Sequence, residues 1–447
     1  MKLKTACVLC TLMIYSSVCS AESGFNVLDF GASGDGITDN TGEFQKALDE
    51  ASKSGTVVHV PAGQYRFDGN LVIPENTTLE GVWEGYHFAN GDKGSALLIY
   101  SGRDRENAEP FMILNSNSTV KGLSFIYPEQ KGTDIHPYPW TLQARTRAGV
   151  TGKCNIIDVS IANAYNGIDC GTFANGGTYV RNIHMCALRR GLYIDRSSDI
   201  GRFENIQIVH MGWGQIGEPW KPTREEYQAF MKYMLENLEG FILGRCDWTF
   251  MVNCFVLKPK IGFVFKETEL RPDENPGKRI NQPNILITQS GSDMGPLAVK
   301  IEKLQDHAGI AFENCQFMNS IEIGEQNTGP LKLTNCGFWG ECRTGSVIVN
   351  KGSGEVMLTS CHFSTWEDPN RKDFAPDPKV PLIDMYDGSL LLTSCVFKDY
   401  QFSPDNHIHL GENVKSTIFM GNMVHEGKLR INNQSKGDIR LVGNITD

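Results

Sequence analysis

One short phrase returns along this 447-residue chain: an Asn or Ser, then Cys or Ile, any residue, then an apolar residue. It stands at Asn182-Ile183-His184-Met185, Asn205-Ile206-Gln207-Ile208 and Asn253-Cys254-Phe255-Val256. It returns at Asn314-Cys315-Gln316-Phe317, Asn335-Cys336-Gly337-Phe338, Ser360-Cys361-His362-Phe363 and Ser394-Cys395-Val396-Phe397, and Asn422-Met423-Val424 continues it. The spacings are mostly 21 to 34 residues, or roughly double across an insertion. Repeats of that length belong to solenoids. Within each repeat apolar residues alternate, which is strand periodicity. One coil cannot bury its own apolar face, so neighbouring coils must cover it. Equivalent positions then stack into columns: an Asn column able to hydrogen-bond along itself, and a Cys, Ile and Phe column filling the interior.

That stacking assigns Cys254, Cys315, Cys336, Cys361 and Cys395 to the core as small apolar side chains. Beyond the leader, which holds Cys7 and Cys10, no Cys-x-x-Cys occurs, so no zinc cluster is expected. Lys2 and Lys4 precede an apolar run from Ala6 to Val18, and small residues Ser20 and Ala21 stand before Glu22. This reads as a signal peptide over 1–21 that directs secretion, or export to a periplasm, with 22–447 as one domain. A surface lipoprotein anchored at Cys19 is the alternative, poorly served by Val18. No later run is long and apolar enough for a membrane span. Net charge is -10, which argues against nucleic acid as a partner.

A second column carries candidate chemistry. The segments are Asn166-Gly167-Ile168-Asp169-Cys170-Gly171, Arg190-Gly191-Leu192-Tyr193-Ile194-Asp195-Arg196, Glu239-Gly240-Phe241-Ile242-Leu243-Gly244-Arg245-Cys246-Asp247 and Ile261-Gly262-Phe263-Val264-Phe265-Lys266-Glu267. Aligned on the first glycine, they put Ile168/Cys170, Leu192/Ile194, Phe241/Leu243 and Phe263/Phe265 inward. The opposite face and the strand ends then hold the candidate catalytic acids Asp169, Asp195, Asp247 and Glu267. Tyr193, Arg196, Arg245 and Lys266 accompany them as substrate-binding candidates, and so does Trp248, directly after Asp247. Parallel strands lie about 4.8 Å apart. Two acids one or two coils apart are therefore about 5–10 Å apart, the range used in glycoside hydrolysis.

An insertion between Ile208 and Gly240 adds His210 and Trp213 as further substrate-binding candidates. It also carries a helix near 214–238, opened by the capping-box sequence Thr223-Arg224-Glu225-Glu226. Segment Glu129 to Arg147 and the charged, Pro-rich loop 366–381 are further candidate walls. At the N-terminus, Phe44, Ala47, Leu48 and Ala51 recur at helical spacing. Asp39, Asn40 or Thr41 serves as N-cap, and Asp35 and Asp39 are read as turn and cap residues.

The run from Phe25 to Phe67 passes through Asp29-Phe30-Gly31-Ala32-Ser33-Gly34-Asp35-Gly36 and Val60-Pro61-Ala62-Gly63-Gln64-Tyr65. It resembles the opening of the rhamnogalacturonase/pectate-lyase-like superfamily. The resemblance implies an all-β fold, a single-stranded right-handed parallel β-helix with an N-terminal capping helix, and carbohydrate substrates. Members include polygalacturonase-like hydrolases, eliminases, glucanases, epimerases and tailspike depolymerases. The polygalacturonase motifs Asn-Thr-Asp, Asp-Asp, Gly-His-Gly and Arg-Ile-Lys are absent from this chain, so no catalytic residue carries over.

The leading expectation is a glycoside hydrolase cleaving a polysaccharide or oligosaccharide with a pair of these carboxylates and no cofactor. A polysaccharide lyase is second, with Tyr193 or Arg196 as base and with Arg245, Lys266 or a calcium held by the acids neutralising a uronate. A noncatalytic glycan-binding β-helix is third.

Overall fold

The computed structural model describes residues 24–446, apart from 84–92, 147–152, 269–280, 339–344, 366–378, 400–404 and 426. The expected leader, Arg147 and most of the 366–381 loop therefore lie outside the described residues. The named strands pair in parallel throughout one continuous winding. Each coil contributes to three sheets, numbered here by their order after the incoming turn.

Sheet 1 stacks Val58, Leu79, Val120, Ile156, Val180, Phe203, Met251, Ile287, Phe312, Leu333, Leu358 and Leu392 in register, and all are buried. The chain then turns sharply into sheet 2 through one residue with a left-handed backbone. Gly122, Asp158, Asn182, Asn205, Asn253, Gln289, Asn314, Asn335, Ser360, Ser394 and Gly421 hold this corner, with φ between 51° and 71°. Gly and Asn tolerate this region best, which explains the Asn of the repeat. The expected ladder forms: Asn182 Nδ2 donates to Asp158 Oδ1 (2.8 Å), Asn205 to Asn182 (2.8 Å), Asn253 to Asn205 (2.9 Å) and Asn335 to Asn314 (2.7 Å).

Just past the corner the repeat's Cys residues point inward. Cys254, Cys315, Cys336, Cys361 and Cys395 are buried free thiols, each near carbonyls of its own and the preceding coil. Two residues on, Phe317, Phe338, Phe363 and Phe397 stack at centroid distances of 5.6, 4.8 and 4.9 Å.

Substituting Asn205 by Ala removes two ladder bonds and leaves a left-handed residue without the short polar side chain that makes this region tolerable for Asn. The expected cost is about 2 kcal/mol in urea unfolding. Asn205→Gly, which keeps the backbone but not the bonds, should cost about half as much. Equal costs would show that the amide ladder, not the backbone, carries the effect.

The open N-terminal end is covered by α1 (Thr41–Ser52), which buries Phe44, Ala47, Leu48 and Ala51. Phe44 meets the rings of Tyr65 and Phe67 edge-on at 5.2 and 4.9 Å. Asn40 holds the N-cap position without capping the helix, since its side chain accepts from Ser33 N and donates to the Thr38 carbonyl. The first turn is tied instead by Asp39 Oδ1, which accepts from Thr41 N, Thr41 Oγ1 and Asp68 N. Asp35 Oδ1 closes a turn by accepting from Ile37 N and Thr38 N.

The expected insertion consists of α2 (Met211–Gly214) and α3 (Arg224–Asn237), with the capping box of Thr223 and Glu226 formed. Among the described residues no helix is long and apolar enough to cross a membrane.

Candidate functional site

Sheet 3 presents the candidate column outward. Its register runs Gln143, Asp169, Tyr193, Ile242, Val264, Lys300, Glu322, Val349, Asp384, His409. The inward partners Ile168, Cys170, Leu192, Ile194, Phe241, Leu243, Phe263 and Phe265 are all fully buried, as the alternation requires. The strand-initial column reads Trp140, Asn166, Arg190, Glu239.

Asp195 is the most heavily bonded side chain here. Its Oδ1 accepts from Arg196 N (2.6 Å), Arg245 N (2.8 Å) and Thr268 Oγ1 (2.6 Å). Its Oδ2 accepts from the Tyr193 hydroxyl (2.6 Å), with Arg196 Nη1 at 3.4 Å. Two glycines make this socket. A Cβ on Gly244 would sit 2.3 Å from the Asp195 carboxyl carbon, and one on Gly171 would sit 2.7 Å from the Tyr193 ring. Burial raises the proton affinity of Asp195 despite its donors, and burial together with the adjacent carboxylate holds Tyr193 firmly as the neutral phenol.

Around Tyr193 stand aromatic and cationic groups. The Trp140 ring lies nearly parallel to it at 6.4 Å, and Lys266 Nζ is 5.9 Å from its ring centroid. Arg190 covers Trp140 at 4.5 Å while bonding Asn166 Oδ1 and Glu106 Oε1, both at 2.8 Å. Burial lowers the proton affinity of that guanidinium. Arg145 bridges Glu109 to Gln143, and Gln143 Nε2 in turn donates to Asp169 Oδ2 at 2.7 Å. Asp169 also accepts from Gly171 N and Thr172 N, and it is fully buried. One wall of this face is the C-terminal part of α3, where Tyr233 meets Tyr165 and Arg189 meets the Asn237 carbonyl.

The structure thus brings together Asp169, Tyr193, Asp195, Arg196, Lys266 and the Arg245 amide. Glu267 sits on the exposed edge, bonded to Gln282 and paired with Lys303. Asp247 is half-buried in the turn, and Trp248 beside it is 67 % exposed.

His210 and Trp213 are not presented to this face. Trp213 is 2 % exposed and stacked on Phe230 of α3 at 4.5 Å. His210 is buried with Nδ1 on the Tyr227 hydroxyl at 2.7 Å. Both fasten the helical insertion to the coil beneath it. Burial brings the His210 pKa down from 6.5 to about 4. The unfolded imidazole takes up a proton that the folded one refuses, so this stabilisation is present above pH ~6.5 and fades as pH falls toward ~4. A loss of about 2–3 kcal/mol across that window is expected from urea midpoints, and His210→Gln should flatten the slope.

Trp140 and Arg145 come from the expected wall segment Glu129 to Arg147, whereas sequence reasoning missed Gln143, Asn166, Arg190, Glu106 and Thr268 as site residues. Asn166 and Arg190 stood in the aligned segments, directly before the column glycines. Glu106 and Thr268 arrive from distant loops with no local signal. It also missed a second cluster farther along the same column. His409 Nδ1 contacts Asp384 Oδ1 at 2.6 Å, and the Tyr386 ring meets His409 edge-on at 6.1 Å. Among the described residues no group of three or more His, Cys, Asp or Glu side chains is placed to hold a metal ion.

Comparison with known proteins follows this geometry. Residues 24–195 match the family model described as "Rhamnogalacturonase A/epimerase, pectate lyase-like". Alginate lyase 7 of Azotobacter vinelandii is 44% identical over 69 residues, covering 14% of this chain and 8% of that protein. The chain therefore spans less than a tenth of that relative's length. The A-module of mannuronan C-5 epimerase AlgE6 from the same organism superposes with a TM-score of 0.51 at 14% identity, covering 95% of this chain and 99% of that one. The pre-mature gene product 12 of bacteriophage phi29 superposes with a TM-score of 0.59 at 12% identity, covering 95% and 57%. Those structural likenesses concern the fold alone. The N-terminal coils thus match the rhamnogalacturonase/pectate-lyase-like family model, and the winding as a whole has the parallel β-helix architecture of those solved structures.

Proposed function

We propose that this chain is an exported carbohydrate-active enzyme that grips an acidic glycan on the outer face of sheet 3 and removes the C5 proton of a uronate. The observation that carries this reading is the Tyr193–Asp195 pair set among cations. Every lone-pair direction of Asp195 is already served, so it is a poor group to meet substrate directly. The Tyr193 oxygen is its half-buried partner, ready to pass a proton inward over 2.6 Å. As Tyr193 takes the C5 proton, its own hydroxyl proton moves to Asp195, whose burial favours the acid form. The C–H electron pair is first held by the uronate carboxyl group as an enolate; in elimination it then becomes the C4–C5 double bond as the C4–O4 bond breaks and the O4 oxygen leaves with a proton from solvent. Return of a proton to C5 from the other face, without loss of O4, is epimerisation. Lys266, Arg196 and Arg190 supply the positive field that makes a uronate C5–H acidic. The relatives' names, an alginate lyase and a mannuronan epimerase, are in keeping with uronate chemistry.

Hydrolysis is the second reading, favoured by the half-buried Asp247 beside the exposed Trp248. One experiment separates the two. The full chain is incubated in deuterated buffer with alginate, polygalacturonate, glucuronan and neutral glucans. Products are read by ultraviolet absorbance of the unsaturated uronate, by reducing ends, and by deuterium at C5. Absorbance or C5 deuterium on a polyuronate supports the proposal. Reducing ends without either signal, abolished by Asp247→Asn, would replace it with hydrolysis.

A further inference from the structure

A second column of left-handed residues lies at the turn from sheet 3 into sheet 1, two positions before the first paired residue. It holds Gly55, Asn76, Asn117 and Gly177, with φ of 65°, 59°, 61° and 65°. In the next two coils the same place is taken by Ile200 (φ 46°) and Trp248 (φ 49°). The register is fixed by Tyr179, Arg202 and Phe250, and by the Ser197–Cys246 bridge. A β-branched residue or an indole in this region is a genuine outlier, held there at an energetic cost. Neither side chain recovers that cost by burial, since Ile200 is 47% exposed and Trp248 67%. Two adjacent coils thus hold bulky apolar groups in solvent at a place where four earlier coils use a left-handed Gly or Asn and one uses Lys153.

Cavities flank the pair on both sides. One of about 210 Å³ is lined by Lys153, Gly177, Ser198, Asp199, Ile200 and Arg202. The other, of about 160 Å³, is lined by Trp248, Phe250, Asn284 and Leu286, and Leu286 is itself 49% exposed. Lys153, Gly177, Ile200, Trp248 and Asn284 occupy five successive coils. At about 4.8 Å per coil this ledge runs about 19 Å along the axis. Its apolar faces suit the C–H faces of sugar rings. Lys153 and Arg202, against the single acid Asp199, bias it toward an anionic ligand.

We infer that the ledge is a secondary, noncatalytic binding surface for an extended anionic polysaccharide, held alongside the sheet 3 face. The ligand class rests on the acidic-glycan reading above, but the surface is a separate one. Affinity electrophoresis of the full chain through gels containing alginate or polygalacturonate, with dextran as the neutral control, tests it. Wild type should be retarded by a polyuronate and not by dextran. Ile200→Gly and Trp248→Gly together should weaken that retention about ten-fold while the melting temperature rises, because glycine relieves both left-handed residues. A merely structural role predicts no change in retention. Unchanged retention in the double variant, or a wild type that no polyuronate retards, overturns the inference. Retention by a polymer from which wild type makes no product leaves the ledge standing and removes the proposed reaction. Product formed with retention insensitive to the double variant does the reverse.

Discussion

Tyr193→Phe is expected to lower turnover of the polyuronate substrate by about 10²–10⁴-fold, the usual span for losing a positioned acid–base group. The variant deletes one oxygen. Asp195 loses the 2.6 Å bond on Oδ2 but keeps its three donors on Oδ1, so the socket should hold. Phenylalanine also preserves the ring that lies against Trp140. Circular dichroism and the melting temperature should therefore stay near wild type while absorbance and C5 exchange vanish together. Retained turnover would remove Tyr193 from the chemistry and point to the His409–Asp384–Tyr386 cluster, for which His409→Ala is the corresponding test.

Phe338→Ala should have the largest effect on stability, about 3–5 kcal/mol. Its ring is 2 % exposed and sits between Phe317 and Phe363, nearly parallel to the latter at 6°. Truncation opens a cavity and breaks the stack from both sides. In a solenoid each coil leans on its neighbours, so the damage should divide the molecule rather than weaken it evenly. Hydrogen exchange is expected to show early loss of protection at Leu358 and Leu392, with Ile156 and Val180 still protected. A single transition at an unchanged temperature would show that the aromatic column contributes little.

Much of this fold was legible because solenoid positions repeat. The Asn and Cys of the phrase recur at one corner, so a column could be read from spacing alone, and α1 and α3 announced themselves by periodicity and capping. The sheet 3 face was legible for the same reason: Asp169, Tyr193, Asp195 and Lys266 share a register set by the column glycines. What was not legible depends on how loops return to that face. Glu106 reaches Arg190 from 84 residues away, and Thr268 reaches Asp195 across 73. The roles of Gly171 and Gly244 as an empty socket appear only once Asp195 is seen between them. His210 and Trp213 looked like glycan contacts because His and Trp are common ones. The helix that buries them could be foreseen, but not where it would lie down.

The nine free cysteines among the described residues have a practical consequence. No sulfur–sulfur bond among them ties one coil to another, so the rod's cohesion is remade whenever its surfaces meet. Reducing agents should leave it indifferent, and bacterial cytoplasm should serve as well as an oxidising compartment for producing it. A rod peeled open from one end can close again by zipping onto the coils that stayed wound.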